Sequence, residues 1–277
     1  MIKRKSLGGL LLHLLLIACG IVWVYPFVWM ILSSLKTNTE YINAGFKLLP
    51  EIPQWENYTR AWNVGHFSTY FANSVIITCS TVFIVIVLCA LTGYALGRVS
   101  FPGRKLFVLA ITATMFIPKG YTIIPIFQII KTLGLLNTLP GIILAESSGA
   151  HVLFILLFMT YFHNLPKELE EASEMDGCGF LRTFCQVMLP LSKPIIATTA
   201  IMQFIWTWNS FFVPLIFSIN KPELRTLAVG MYSFAGEHTV DWSGMAAGAS
   251  ISLIPVILVF IVFQRFFIEG ISGSVKG

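Results

Sequence analysis

From Ser6 to Leu35 the chain carries no Asp, Glu, Lys or Arg, and His13 is the one side chain there that titrates near neutrality. An uncharged stretch of this length constrains the fold more than any other feature. About 20 apolar residues in a helix cross the hydrocarbon core of a bilayer. Lipid offers no hydrogen bonds, so a crossing segment must satisfy its own backbone as a helix or within a closed barrel. A secretory signal is the competing reading, because Met-Ile-Lys-Arg-Lys precedes a Leu-rich run. A signal's apolar core lasts only about 7–15 residues before polar sequence follows. Here the run continues through Val22-Trp23-Val24-Tyr25 to Met30, so it reads as an uncleaved span over Leu10–Ser33.

Five more runs of this kind follow, over Asn73–Leu96, Leu106–Ile129, Gly141–Phe162, Ile195–Phe217 and Met245–Phe267. Pro118 and Pro125 interrupt the third, which membrane helices tolerate when neighbours satisfy the freed carbonyls. The chain is 56% hydrophobic and 11% charged, against about 25% charged in soluble domains. The reading is an all-α integral membrane protein with six transmembrane helices, forming one domain over residues 1–277. Six spans place both termini on one side. With that side inside, the inner segments hold Lys3, Arg4, Lys5, Arg98, Arg104, Lys105, Lys167, Arg182, Lys193, Arg265 and Lys276. The remaining set is Lys36, Lys47, Arg60, Lys119, Lys131, Lys221 and Arg225. Eleven against seven, on shorter inner segments, makes both termini cytoplasmic by the positive-inside rule.

That topology puts the longest inner insert, residues 164–193, in the cytoplasm. Pro166 suits a first helical turn, and Glu168, Glu170 and Glu171 set negative charge at the positive end of the helix dipole. Leu165, Leu169, Ala172 and Met175 recur at three- and four-residue spacing as an apolar stripe. Gly177 ends the helix, because a left-handed cap is cheap for glycine. Phe180, Phe184 and Val187 continue as a second stripe until Pro190. An amphipathic pair lying on the membrane is the plainer alternative, but interfacial helices carry Lys and Arg on the polar face. This helix offers an anionic leaflet four glutamates and Asp176 against Lys167. A protein partner with a basic cleft fits better.

The series Glu171-Ala172-Ser173-x-x-Asp176-Gly177, nine residues, then Val187-x-Leu189-Pro190 resembles the "EAA" motif of binding-protein-dependent ABC importer permeases. Ser173 stands where that motif has a second alanine, and Val187 where it has isoleucine. Trp55-x-Asn57-Tyr58, Trp208-Asn209 with Pro214-Leu215, and Gly270-x-x-Gly273-x-Val275-Lys276-Gly277 agree with its carbohydrate-uptake subfamily. Within that subfamily the chain is most similar to the smaller permease subunit of maltose- and oligosaccharide-type importers. The resemblance implies that the loop inserts into a cleft on a cytoplasmic ATP-binding subunit dimer. Glu171 would pair with a basic group there, Gly177 would form the turn, and Lys276 and Gly277 of the tail (268–277) would touch the same dimer. It further implies a second permease chain, an extracytoplasmic sugar-binding protein, a sugar substrate and a prokaryotic cell membrane. ATP is expected to be hydrolysed by the partner. No Gly-x4-Gly-Lys-Ser/Thr phosphate loop and no zinc or Ser-nucleophile signature occurs, so no cofactor, no metal and no catalytic residue is expected. Cys19, Cys79, Cys89, Cys178 and Cys185 read as free thiols, and nothing suggests nucleic-acid binding.

Ionisable residues inside a membrane are candidates for function. Lys119 lies 14 residues past Lys105, about 21 Å from the inner surface. Glu146 in span four and Asn209 in span five fall near the same depth, with Trp206 and Trp208 flanking Asn209. Either the layer lines a sugar path, or Lys119 and Glu146 pair to avoid isolated charge and Asn209 joins helices. An ion- or proton-coupled carrier is the alternative function. Such carriers show repeat symmetry and several intramembrane carboxylates, and this chain shows neither clearly.

Overall fold

A computed structural model describes residues 7–43, 45, 47–64, 66–149, 151–234 and 240–273. The elements are helices: α1 (Leu7–Ser33), α2 (Asn38–Asn43), α3 (Glu56–Val64), α4 (Phe67–Arg98), α5 (Arg104–Ala113), α6 (Lys119–Thr132), α7 (Leu139–Ser147) and α8 (Val152–Asn164). They continue as α9 (Glu168–Met175), α10 (Phe180–Thr183), α11 (Leu189–Leu191), α12 (Lys193–Trp208), α13 (Phe212–Ser218), α14 (Leu227–Gly230) and α15 (Trp242–Gly273). A π-helical turn, Phe184–Met188, joins α10 to α11.

Three helices are long and apolar enough to cross a membrane unaided: α1, α4 and the Trp242–Gln264 part of α15. Three bent pairs also qualify: Arg104–Phe116 with Gly120–Thr132 at 107°, Leu139–Ser147 with Val152–Asn164 at 60°, and Phe180–Leu191 with Lys193–Trp208 at 78°. Spans four and five therefore differ from the continuous helices expected. Span four opens after Ser147, where Ser148 and Gly149 form a weak joint of the kind that kinks helices. Span five stops at Trp208 and resumes at Phe212, after Asn209 has bonded its own helix. Span three breaks as its prolines predict, with Pro118 immediately before α6.

The chain divides into two compact units, Met1–Ser68 with Gly230–Ile254, and Thr69–Val229 with Pro255–Gly277. In the first, α1 presents an apolar surface all round, and Trp23 is 78% exposed. Such a helix is stable when lipid rather than water surrounds it. Its end is held by the segment singled out in the sequence as Trp55-x-Asn57-Tyr58. Asn57 Nδ2 donates to the carbonyls of Ser34 (2.7 Å) and Lys36 (2.8 Å), and the Tyr58 hydroxyl bonds Ser34 Oγ at 2.7 Å. Asp241 caps α15 through the Gly244 N–H and takes an ion pair from Arg60. Nearby, Lys47 donates to Glu51 at 2.7 Å, and this bond holds the Glu51 carboxyl below its ordinary range.

In the second unit α4 and α8 touch backbone to backbone. A Cβ on Gly97 would sit 2.8 Å from the Met159 carbonyl oxygen, and one on Gly93 would sit 2.9 Å from the Met159 nitrogen. Small residues four apart permit this approach where lipid offers no hydrophobic drive. Around that seam Val85, Cys89, Ala90, Tyr94, Phe154, Phe158 and Phe162 form a buried core together with Phe184 and Met188.

Candidate functional site

Two places in the second unit concentrate polar chemistry. The first is the acidic insert. Its leading helix, α9, has Glu168, Glu170 and Glu171 in its first turn and ends in a left-handed Gly177 with φ +76°. The Cys178 N–H bonds the Ser173 carbonyl (3.0 Å) and the Gly177 N–H bonds the Glu174 carbonyl (2.9 Å). These are the two bonds of a Schellman cap. The cap turns the chain back, so that α10 returns beside α9. Ser173 Oγ and Thr183 Oγ1 then meet at 2.6 Å, both nearly fully buried. The serine that departs from the motif's alanine is thus the cross-link between the two halves of the loop.

The second apolar stripe is only partly spent inside the protein: Phe184 is buried and Val187 half-buried, while Phe180 keeps 45% of its surface exposed. Tyr94, near the end of α4, stacks on Phe180 at 4.7 Å, lies tilted against Phe184 at 5.2 Å, and meets Phe162 edge-on at 5.5 Å. Aromatic pairs of this geometry each contribute about 0.5–1.5 kcal/mol beyond the area they bury. The first stripe is not used up in this way. Leu165 and Leu169 are half-buried, while Ala172 is exposed and Met175 is 89% exposed. Glu171, Asp176 and Gly177 are also exposed at the tip. Val187 and Leu189 pack against the buried core, and Pro190 faces outward. The loop is therefore anchored by one half and presents an apolar, acid-rimmed tip with the other.

One anchor was not read as such from the sequence. Arg98, counted there only as an inner basic residue, has a side chain just 6% exposed. Its guanidinium donates to the carbonyls of Leu165 (2.8 Å) and Pro166 (3.1 Å), and its Nε lies 3.4 Å from the Glu170 carboxylate. A small cavity of about 210 Å³ opens between Tyr94, Arg98, Glu170, Glu174 and Phe180.

The second place is a cavity of about 270 Å³ at the broken spans, lined among others by Ala145, Glu146, His151, Gln203, Trp206 and Ser210. Glu146 and Trp206 both line this space. Ser210, one residue beyond Asn209, donates to Glu146 at 2.6 Å. Asn209 and Trp208 are placed differently. Asn209 Nδ2 donates to the Ile205 carbonyl of its own helix at 2.8 Å and is not part of the cavity lining. Trp208 is 4% exposed, stacked on Phe204 at 5.4 Å and edge-on to Phe71 at 5.9 Å. Trp208 is the last residue of α12 and Asn209 its C-cap, and their side chains turn to Phe204 and Phe71 and to the helix's own backbone rather than to the cavity. The Lys119 side chain and the tail residues Lys276 and Gly277 lie outside the described residues. Gln203 was missed by the sequence reading. It is 2% exposed, donates to Thr207 Oγ1 at 2.9 Å, and among the described residues its carbonyl oxygen has no hydrogen-bond donor. Gln203, Thr207 and Ser210 recur at helical spacing in an apolar run, and that polar stripe was the available signal.

Residues 62–273 match the family described as binding-protein-dependent transport system inner membrane component. A probable ABC transporter permease, YurM of Bacillus subtilis, is 37% identical over 91% of this chain and 84% of its own length. The diacetylchitobiose uptake system permease NgcG of Streptomyces coelicolor is 34% identical over 95% of this chain and 86% of its own. The trehalose/maltose transport system permease MalG of Thermococcus litoralis is 30% identical, covering 99% of both. A chain in the crystal structure of a bacterial ABC transporter that imports the acidic polysaccharide alginate superposes with a TM-score of 0.82. The match has 26% identity and covers 96% of this chain and 99% of that one.

Proposed function

This chain belongs to the family of binding-protein-dependent transport system inner membrane components, and from that premise we propose that it is a permease subunit of an ATP-driven importer of oligosaccharides. It is a non-catalytic, multi-pass membrane subunit, and ATP is hydrolysed by a separate chain. Six spans with both termini in the cytoplasm, a second and different permease chain, and an extracytoplasmic sugar-binding protein complete the reading. A sugar fits the names of the relatives and the chemistry of the cavity, where a tryptophan face lies beside amide, carboxylate and hydroxyl groups.

The observation that carries the proposal is the loop at 164–193. Ala172, Met175 and Asp176 stand exposed at its tip while Phe180 and Phe184 are packed against Tyr94. A loop held this firmly at its base and left bare at its tip suits a soluble partner that pushes on it. Glu171, Ala172, Ser173, Asp176, Gly177, Val187, Leu189 and Pro190 form the coupling segment, with the acidic rim facing a basic cleft of the ATPase. Lys276 and Gly277 are a second contact with it. Asp176→Cys in a chain whose five native cysteines are replaced by serine, labelled with a membrane-impermeant maleimide, tests this. Labelling from the cytoplasmic face alone, and its suppression by the bound ATPase, is the expected result. Labelling from outside the cell refutes the topology and the coupling role together.

A further inference from the structure

We propose that α4 is a rigid strut that delivers movement of the coupling loop to the outer segment Glu223–Leu227, with Arg98 and Asn73 as the positioning residues at its two ends. The inference rests on the loop at 164–193 being the ATPase contact. At the inner end Arg98 holds the chain where α8 passes into α9, through the Leu165 and Pro166 carbonyls and the Glu170 carboxylate. Its side chain is 6% exposed, and a buried charged donor that loses its partners costs more than an exposed one. One turn earlier Tyr94 fastens the returning half of the loop through Phe180 and Phe184. Both halves of the loop are thus tied to one helix.

At the outer end the same helix grips a different segment. Asn73 Nδ2 donates to the carbonyls of Glu223 (2.7 Å) and Arg225 (3.0 Å), and Ser74 Oγ accepts the Leu227 N–H at 2.8 Å. Asn73 is 6% exposed and Ser74 is 2% exposed. Asn73 and Arg98 are 25 residues apart, which is about 38 Å of helix, more than the roughly 30 Å of hydrocarbon. Between these ends α4 has no proline and no break. The bent pairs, by contrast, turn through 107°, 60° and 78°. A push on a bent span is absorbed at its joint, whereas α4 must move as a body. The Gly93 and Gly97 seam carries α8 with it.

The test uses the assembled importer in lipid nanodiscs, with the five cysteines replaced by serine and a nitroxide on Lys221→Cys. In the parent a non-hydrolysable ATP analogue changes the nitroxide spectrum. Arg98→Gln and Asn73→Ala each shrink that change, and uptake per ATP hydrolysed, by about tenfold, within the range of couplings of this kind. The double variant is no worse than either single, because both cut one linkage. Arg98→Lys, which keeps the charge but loses the guanidinium fork, recovers part of the response. A parent without a nucleotide response, a full response in either variant, or additive losses in the double overturns the strut. Should Arg98→Gln shed the ATPase, Asn73→Ala decides, since it lies at the far end of α4 from the loop. Failure of the coupling reading looks different, because the parent complex then fails to retain an ATPase at all.

Discussion

Gly177 offers a perturbation whose cost can be worked from geometry. Its φ of +76° is left-handed, and an L-residue placed there costs about 1–2 kcal/mol. That corresponds to a factor of about 5–30 in the population of the native turn. Nothing lies within 4 Å of where a Cβ would be, so the chain adds no steric penalty of its own. The strain falls on the bonds Gly177 N–H to Glu174 and Cys178 N–H to Ser173, which close α9. Ala and Leu, both unbranched at Cβ, bear similar backbone strain, while Asn tolerates the left-handed region. The assay is the ATPase retained per permease on purification, followed by uptake in proteoliposomes. Gly177→Asn should stay near the parent, and Gly177→Ala should fall by up to the factor of about 30 that the strain sets. Gly177→Leu should fall further, and the excess over Ala measures contact with the partner, because the tip is exposed and a Cβ there meets none of the described residues of this subunit. Membrane levels should be unchanged in all three. Full retention and uptake by Gly177→Leu would refute the assignment of this tip as the contact.

Ser173→Ala leaves Thr183 Oγ1 buried without its partner, at a cost of about 1–3 kcal/mol. Adding Thr183→Val should recover part of the thermal stability of the purified subunit, and a double variant as weak as the sum of the singles would speak against the cross-link. Trp206→Ala should lower sugar uptake at normal protein levels, whereas Trp208→Ala should lower the protein level itself. Equal behaviour of the two in quantitative immunoblots and uptake would show that the cavity does not discriminate them.

The amino-acid sequence alone established what depends on neighbours along the chain. Hydropathy is local, so the apolar runs located α1, α4 and α15 with their ends within six residues. A left-handed cap is a property of one residue, so Gly177 was legible as the end of α9. Depth in a helix follows from counting, and that count set Glu146 and Asn209 near one level with Trp206 beside Asn209; of these, Glu146 and Trp206 line one cavity. Only the tertiary structure decided where spans four and five break and what the polar groups meet. The count did not single out Ser210, which bonds Glu146 from the short break between α12 and α13. Arg98 finds its carbonyls 67 and 68 residues further on, and Asn73 finds its own 150 and 152 residues away. Such partners are chosen by helix packing and by the need of buried polar groups for hydrogen bonds, neither of which is written in any local stretch of the chain.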